Sequence, residues 1–257
     1  MIDFHSHILP YIDDGSKNFD MSIEMTKIAF EQGSKCICAT PHFITGEFEI
    51  SRETYNAKIE GLKFLEKQKD ININIMSGLE IYMHPDLPKL YREKKIWGLN
   101  DTPYLLIEFP MEQIPNYTED VFYELRLLGV TPIIAHPERN LKFMKNINLL
   151  VDLLEQGALC QLNTGSIRGM FGKEIKAFAE ILVKNNMIHI IGSDAHNNSG
   201  RSPMIMDANV YIKSINEELY KWMMDFQYKL INAEKMHVLS IKTKKNNRKN
   251  FLNFFLK

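Results

Sequence analysis

Cysteine is scarce in this 257-residue chain: there are three, Cys36, Cys38 and Cys160, all within apolar runs. An odd number so placed excludes a disulfide framework and reads as reduced core thiols of a cytoplasmic protein. Cys36-x-Cys38 lacks the redox C-x-x-C spacing, and no cysteine opens a C-x5-R phosphate loop, so a cysteinyl-phosphate mechanism is excluded. Net charge is equally scant, since 31 Lys and Arg face 32 Asp and Glu; the resulting −1 gives no global field for nucleic acid. No apolar run approaches the roughly 18–20 residues of a membrane span. The N-terminus has no basic region, and its apolar stretch is broken by Asp3, His5 and His7, so no signal peptide is read there. Internal repeats and low-complexity tracts are missing before residue 240. What is present is ordinary globular composition, 45% apolar and 25% charged, in a chain long enough for one large α/β domain.

Apolar runs near 2–5, 35–39, 72–79, 104–108, 131–135, 159–163 and 188–192 predict seven strands. Segments with helical spacing lie between them, at 19–32, 51–69, 118–128, 149–156, 173–185 and 215–230. Gly33, Gly129 and Gly157 stand where helix C-caps are needed. Strands alternating with helices predict βαβ units, a parallel sheet and right-handed crossovers.

The informative residues follow the strands. His5 and His7 close the first run; His42 follows the second, Glu80 the third, Glu108 the fourth, His136 the fifth, and Asp194 and His196 the last. On a parallel β/α scaffold the carboxyl ends of the strands converge, so distant positions can build one site. Imidazole and carboxylate donors suit Mn²⁺, Fe²⁺ or Zn²⁺. His5 and His7, at i and i+2 of an extended segment, face one side and can chelate one ion. Asp13 and Asp14, in a loop closed by Gly15, can reach a neighbouring ion.

Any one of these residues is more commonly a loop residue or a cap. Glu108, flanked by Leu106, Ile107 and Phe109, is costly to bury unless paired or metal-bound. Together the set points to a polynuclear metal site. His84, His189 and His237 lack such context; His189, inside a strand, and His237, in a C-terminal helical segment, read as structural. Arg139 and Arg201 share the ligand-bearing loops. A lone arginine is usually a surface ion pair, but two in such loops suggest a bidentate grip on phosphate oxygens.

Met1-Ile-Asp-Phe-His-Ser-His7, Asp13-Asp-Gly15, Thr40-Pro-His42, Gly78-Leu-Glu80, Ile107-Glu108, Ala135-His-Pro-Glu-Arg139 and Gly192-Ser-Asp-Ala-His196 resemble the polymerase-and-histidinol-phosphatase (PHP) superfamily. Within it, residues 1–240 are similar to the manganese-dependent capsular and exopolysaccharide tyrosine-protein phosphatases of Gram-positive bacteria. The resemblance implies a single-domain, distorted (β/α)7 barrel with three divalent ions, manganese first and Fe or Mg as alternatives. It implies one ion on His5, His7, Glu80 and Asp194, and a second on Glu80, Glu108 and His136. The third would be held by Asp14, His42 and His196, with Asp14 chosen over Asp13 on the resemblance alone. Arg139 and Arg201 match the expected phosphate-binding arginines. The implied substrate is the phosphotyrosine-containing tail of a cognate bacterial tyrosine kinase that controls polysaccharide synthesis.

The expected reaction is metal-assisted, in-line hydrolysis of a phosphotyrosine ester. The rivals are a PHP phosphoesterase for a small ester such as histidinol phosphate, and a regulatory module that has lost activity. The full ligand set argues against the latter. The loop 45–52, rich in Phe and Glu, is unassigned between a plain surface loop and a contact for a protein substrate. The tail 241–257 is basic, then aromatic, and reads as a solvated terminus; a contact with an anionic membrane surface or a partner protein is the alternative.

Overall fold

Nine strands, all paired in parallel, carry the chain in the computed structural model, which describes residues 1–234 and 237–242. They are β1 (Ile2–Ser6), β2 (Cys36–Ala39), β3 (His42–Phe43), β4 (Asn74–Ser77), β5 (Glu80–Tyr82), β6 (Tyr104–Glu108), β7 (Thr131–Ala135), β8 (Leu159–Asn163) and β9 (Ile190–Gly192). One sheet runs β1-β2-β4 and the other β3-β5-β6-β7-β8-β9. The expected runs 35–39 and 72–79 appear as β2 and β4, and each is followed by a short strand, β3 or β5, that lies beyond the expected run. Pro41, which has no N–H to donate to a ladder, separates β2 from β3. Gly78 separates β4 from β5, and its backbone packs so closely on Thr40 that a Cβ would come within 2.8 Å of the threonine methyl. The successive strands stay in step, because β2 pairs with β4 and β3 with β5. A parallel bridge between Ser6 and Ala195 joins β1 to the segment after β9.

The helices are α1 (Phe19–Glu31), α2 (Arg52–Gln68), α3 (Leu87–Arg92), α4 (Thr118–Leu127), α5 (Leu141–Lys145), α6 (Asn148–Glu155), α7 (Thr164–Arg168), α8 (Lys173–Lys184), α9 (Met206–Ile215) and α10 (Glu217–Ile231). Side-chain caps start several of them: Asn18 accepts from the Met21 N–H, and Ser51 from the Thr54 N–H. Asn216 ends α9 and caps α10 by accepting from the Leu219 N–H, so the helix expected at 215–230 begins two residues later. His189 lies just ahead of β9 instead of within it. His237 stands outside any helix, where its carbonyl accepts the Trp222 indole N–H.

Alternation along the strands sorts side chains into two cores. Cys38, Met76, Leu106, Ile133, Leu159 and Ile190 share one cluster with Phe226 and Leu230 of α10. Ile37, Ile75, Ile107, Ile134, Cys160 and Ile191, of opposite parity, pack under the helices. Both sheet faces are thus covered, as parallel strands require. The first parity, continued along each strand, leads from Cys38 to His42, from Met76 to Glu80, from Leu106 to Glu108 and from Ile190 to Asp194. On β1 the register against β2 shifts between Asp3 and Ser6, where the parity passes from Ile2 and Phe4 to His5 and His7.

Leu239 and Ile241 pack against the main core, and the Lys242 N–H donates to the Asn185 carbonyl. The rest of the basic-aromatic tail, 243–257, lies outside the described residues. Among the described residues no helix is long and apolar enough to cross a membrane.

Candidate metal centre

His5 and His7 leave β1 fully buried, their Nε2 atoms 3.2 Å apart. Two glycines make room for them. A Cβ on Gly15 would strike His7, and one on Gly192 would strike His5, so only glycine lets these loops close against the strand. Asp194 N–H donates to the His5 carbonyl (2.7 Å) and His7 N–H to the Ala195 carbonyl (2.8 Å), which seats the last loop beside the first strand. His136 and Asp194 hold left-handed backbone conformations (φ +31° and +52°), uncommon for such residues and frequent where side chains must be aimed.

Three groups of donor atoms converge, each within 4.8 Å mutually: His5, His7, Glu80 and Asp194; His7, Asp14, His42 and His196; and His42, Glu80 and Glu108. All nine residues singled out from the sequence as metal ligands lie in or against this cluster. The third group has His42 where the resemblance implies His136. The His136 Nε2 lies 2.9 Å from Glu80 Oε1 and 3.7 Å from Glu108 Oε1. Glu80 is the shared centre, with Oε2 3.1 Å from His5 Nε2, 3.2 Å from His7 Nε2 and 3.0 Å from His42 Nδ1.

Asp13 and Asp14 divide their tasks. Asp13 Oδ2 is 2.7 Å from His7 Nδ1 and accepts the His42 N–H at 2.9 Å, while its Oδ1 accepts the Gly15 N–H. Asp14 instead points its Oδ1 at His196 Nε2 (3.3 Å) and His42 Nε2 (3.5 Å).

The electrostatics are those of a cluster short of positive charge. Burial disfavours charge on His7, yet Asp13 and Glu80 outweigh it and raise the ring well above 6.5. His5 is raised in the same way by Glu80 and Asp194, and His42 by Glu80. Burial pushes Asp13 up, but His7 holds its carboxyl down at about 2. Glu80 and Asp194 are likewise lowered by the surrounding imidazoles against the cost of burial. Glu108 goes the other way, to about 8, because burial and then the Glu80 charge oppose its ionisation. Burial lowers His136 and His196. Divalent cations would supply the charge these carboxylates demand and leave the imidazoles neutral. The donor set fits such ions by a further sign: Glu80 Oε2 and His42 Nδ1 are buried 3.0 Å apart without hydrogen-bond geometry.

The arginines lie at the rim. Arg139 Nη1 donates to Asp194 Oδ2 at 2.9 Å and Arg201 Nη2 approaches the same oxygen at 2.8 Å, while the Arg139 guanidinium lies over the Phe171 ring. Arg201 Nε is buried with no acceptor.

Several contributors are not among the residues singled out from the sequence. Gln161 Oε1 stands 3.0 Å from His5 Nδ1, and its Nε2 donates to Asn163 Oδ1; Asn163 Nδ2 in turn donates to Asp194 Oδ2 at 2.7 Å. Asp3 Oδ1 accepts the Ser193 N–H, and Glu138 Oε1 accepts the Asn163 N–H. The available signal was polarity at the wrong place: Gln161 and Asn163 interrupt an apolar strand at alternate positions, where burial demands partners. His84 stays apart; its Nδ1 accepts the Asp86 N–H.

Comparison with known proteins agrees with this geometry. The family model described as capsular polysaccharide synthesis, CpsB/CapC, matches residues 1–235. The tyrosine-protein phosphatase YwqE of Bacillus subtilis is 42% identical over 197 residues, covering 77% of this chain and 78% of that protein. The tyrosine-protein phosphatase CpsB of Streptococcus pneumoniae is 30% identical over 213 residues, covering 81% and 88%. A crystal structure from work on YwqE and CpsB, described there as unique metal-dependent tyrosine phosphatases, superposes with a TM-score of 0.90 at 36% identity. It covers 95% of this chain and 100% of its own.

Proposed function

This chain belongs to the CpsB/CapC family of capsular polysaccharide synthesis, and we propose that it is a metal-dependent protein-tyrosine phosphatase. The observation that carries the reading is three adjoining donor groups, two of which share Glu80 and all of which are linked through His7 and His42, with two arginines beside them. We take the strands, closed by the Ser6–Ala195 bridge, as a distorted (β/α)7 barrel in which β2 with β3, and β4 with β5, count as single strands. Residues 1–240 are the catalytic unit in this reading, and its setting is cytoplasmic. The substrate is a phosphotyrosine-bearing tail of a bacterial tyrosine kinase that acts in capsule or exopolysaccharide synthesis.

In this reading His5, His7, Asp14, His42, Glu80, Glu108, His136, Asp194 and His196 hold three divalent ions, manganese foremost. Bound there, such ions would supply a water of lowered pKa and offset phosphoryl charge. The chain's own residues do the rest. Asp13 and Gln161 fix the faces of His7 and His5 through their Nδ1 atoms, leaving each Nε2 directed into the cluster. Arg139 and Arg201, partly exposed at the rim, meet the phosphate oxygens. No thiol takes part, since burial raises Cys38 and Cys160 well above their ordinary value.

The test is phosphate release from a tyrosine-phosphorylated kinase tail by the full chain, with and without Mn²⁺. Activity that a chelator abolishes and thiol alkylation leaves intact supports the reading. Activity that survives exhaustive chelation, or turnover of histidinol phosphate well above that of phosphotyrosyl peptide, overturns it.

A further inference from the structure

We propose that Phe48 is a specificity-determining residue, the aromatic wall against which the phenyl ring of the phosphotyrosyl substrate packs; this inference rests on the phosphatase reading above. The argument starts from where the cluster opens. His5 and His7 have fully buried side chains, but His42 is 15% exposed and Asp14 59%, so a phosphoryl group enters on the Asp14–His42 side. Phe48 stands at that opening. Its ring lies 6.3 Å from the His42 ring, tilted by 25°.

The local backbone holds it there. Ile44 and Phe48 exchange both hydrogen bonds at 2.9 Å, Glu47 N–H donates to the Ile44 carbonyl, and Gly46 supplies the positive φ (+81°) of a tight turn. The Glu49 carboxylate accepts the Gly46 N–H at 2.7 Å and closes the loop further. The hairpin therefore rises from the end of β3 and returns an aromatic ring to the donor cluster.

Packing does not account for that ring. Phe48 is half-buried and, among the described residues, belongs to neither hydrophobic cluster nor to the side chains packed on them, whereas its loop neighbours Phe43 and Ile50 do. What singles it out is position: a half-buried aromatic face stands beside the one partly exposed imidazole of the donor cluster's open side. In a tyrosyl phosphate the ring is one oxygen away from phosphorus, so a phosphoryl group seated at His42 places the ring within aromatic packing range of Phe48. Aromatic pairs separated by 4.5–7 Å contribute about 0.5–1.5 kcal/mol beyond area burial, roughly two- to tenfold in affinity.

The experiment compares two non-hydrolysable probes, phenylphosphonate and methylphosphonate, by calorimetry on the manganese-loaded full chain. The wild type is expected to prefer phenylphosphonate by up to about tenfold. Phe48→Ala should erase most of that preference while leaving methylphosphonate affinity and metal content unchanged, and Phe48→Trp should keep it. Equal weakening of both probes, or an undiminished preference in Phe48→Ala, overturns the proposal. Phe48→Leu, which keeps apolar bulk without the ring, guards against misreading a collapsed loop. Hydrolysis of phosphotyrosyl peptide by the wild type is scored separately. Its failure sinks the phosphatase reading, while the probe preference still reports on Phe48.

Discussion

Asp13 lies 2.7 Å from the Nδ1 of His7, and through that contact a residue with no place in the donor groups governs one that sits in two of them. The carboxylate fixes the imidazole so that Nδ1 carries the proton and Nε2 presents its lone pair to the cluster. The same oxygen accepts the His42 N–H, so one buried acid aligns two donor-bearing segments.

Replacing Asp13 by Ala should therefore weaken metal binding by about 10- to 100-fold, the usual effect of losing such a partner. Asp13→Asn should lose less, because the amide oxygen can still accept from Nδ1–H. Manganese titration with elemental analysis checks this; an Asp13→Ala protein with wild-type affinity would make the contact incidental.

The Gln161–Asn163 relay makes a second prediction. Gln161→Leu removes the partner of His5 Nδ1 and also frees the Asn163 amide, so metal affinity should fall by about tenfold or more. Asn163→Leu should cost less, because Asp194 Oδ2 keeps both arginines. Differential metal affinity of the two variants decides the order.

Arg139→Ala should lower kcat/KM for a phosphotyrosyl peptide by roughly 10- to 100-fold, as expected for a lost charge-assisted hydrogen bond. Metal content should persist, because Arg201 and Asn163 still hold Asp194 Oδ2. Equal loss of metal and activity would show that Arg139 mainly supports Asp194.

Stability of the metal-free chain should depend on pH in an unusual direction. His5, His7 and His42 are raised when folded, so their contribution is complete below 6.5 and is lost as pH rises through their folded values. Glu108, raised to about 8, likewise costs stability as pH climbs from its ordinary 4.5 toward 8. His136 and His196, lowered, oppose this by favouring unfolding below 6.5. Asp13, lowered to about 2, contributes fully above 3.8 and loses its contribution as pH falls toward 2. The metal-free Tm should accordingly fall between pH 6 and pH 8. The manganese-loaded protein should not follow, because ions favour neutral imidazoles and ionised carboxylates. Thermal melts with and without chelator at the two pH values test this; parallel curves would contradict it.

How much of this was legible beforehand depends on the range of the interaction. His5 and His7 could be read as a chelating pair because spacing within one strand fixes their common side. The His136-Pro-Glu-Arg139 and Asp194-x-His196 blocks could be read because residue type and loop position travel together. The roles of Asp13 and Gln161 could not, because their partners lie across loops or strands whose register a single sequence does not state. The aim of Arg139 and Arg201 at Asp194 also emerged only from the folded loops, as did the short strands β3 and β5, beyond Pro41 and Gly78, that bring the seven expected strands to nine.

By itself, then, the sequence determined that histidines and carboxylates recur at the ends of apolar runs, since hydrophobic alternation and local motif are properties of neighbours along the chain. The tertiary structure alone decided which of them share a donor group, that Asp14 joins one while Asp13 supports the His7 ring, and that Phe48 stands beside His42. Those are distances between separate βα units, fixed when parallel pairing and the Ser6–Ala195 bridge bring β1 beside the segment that follows β9.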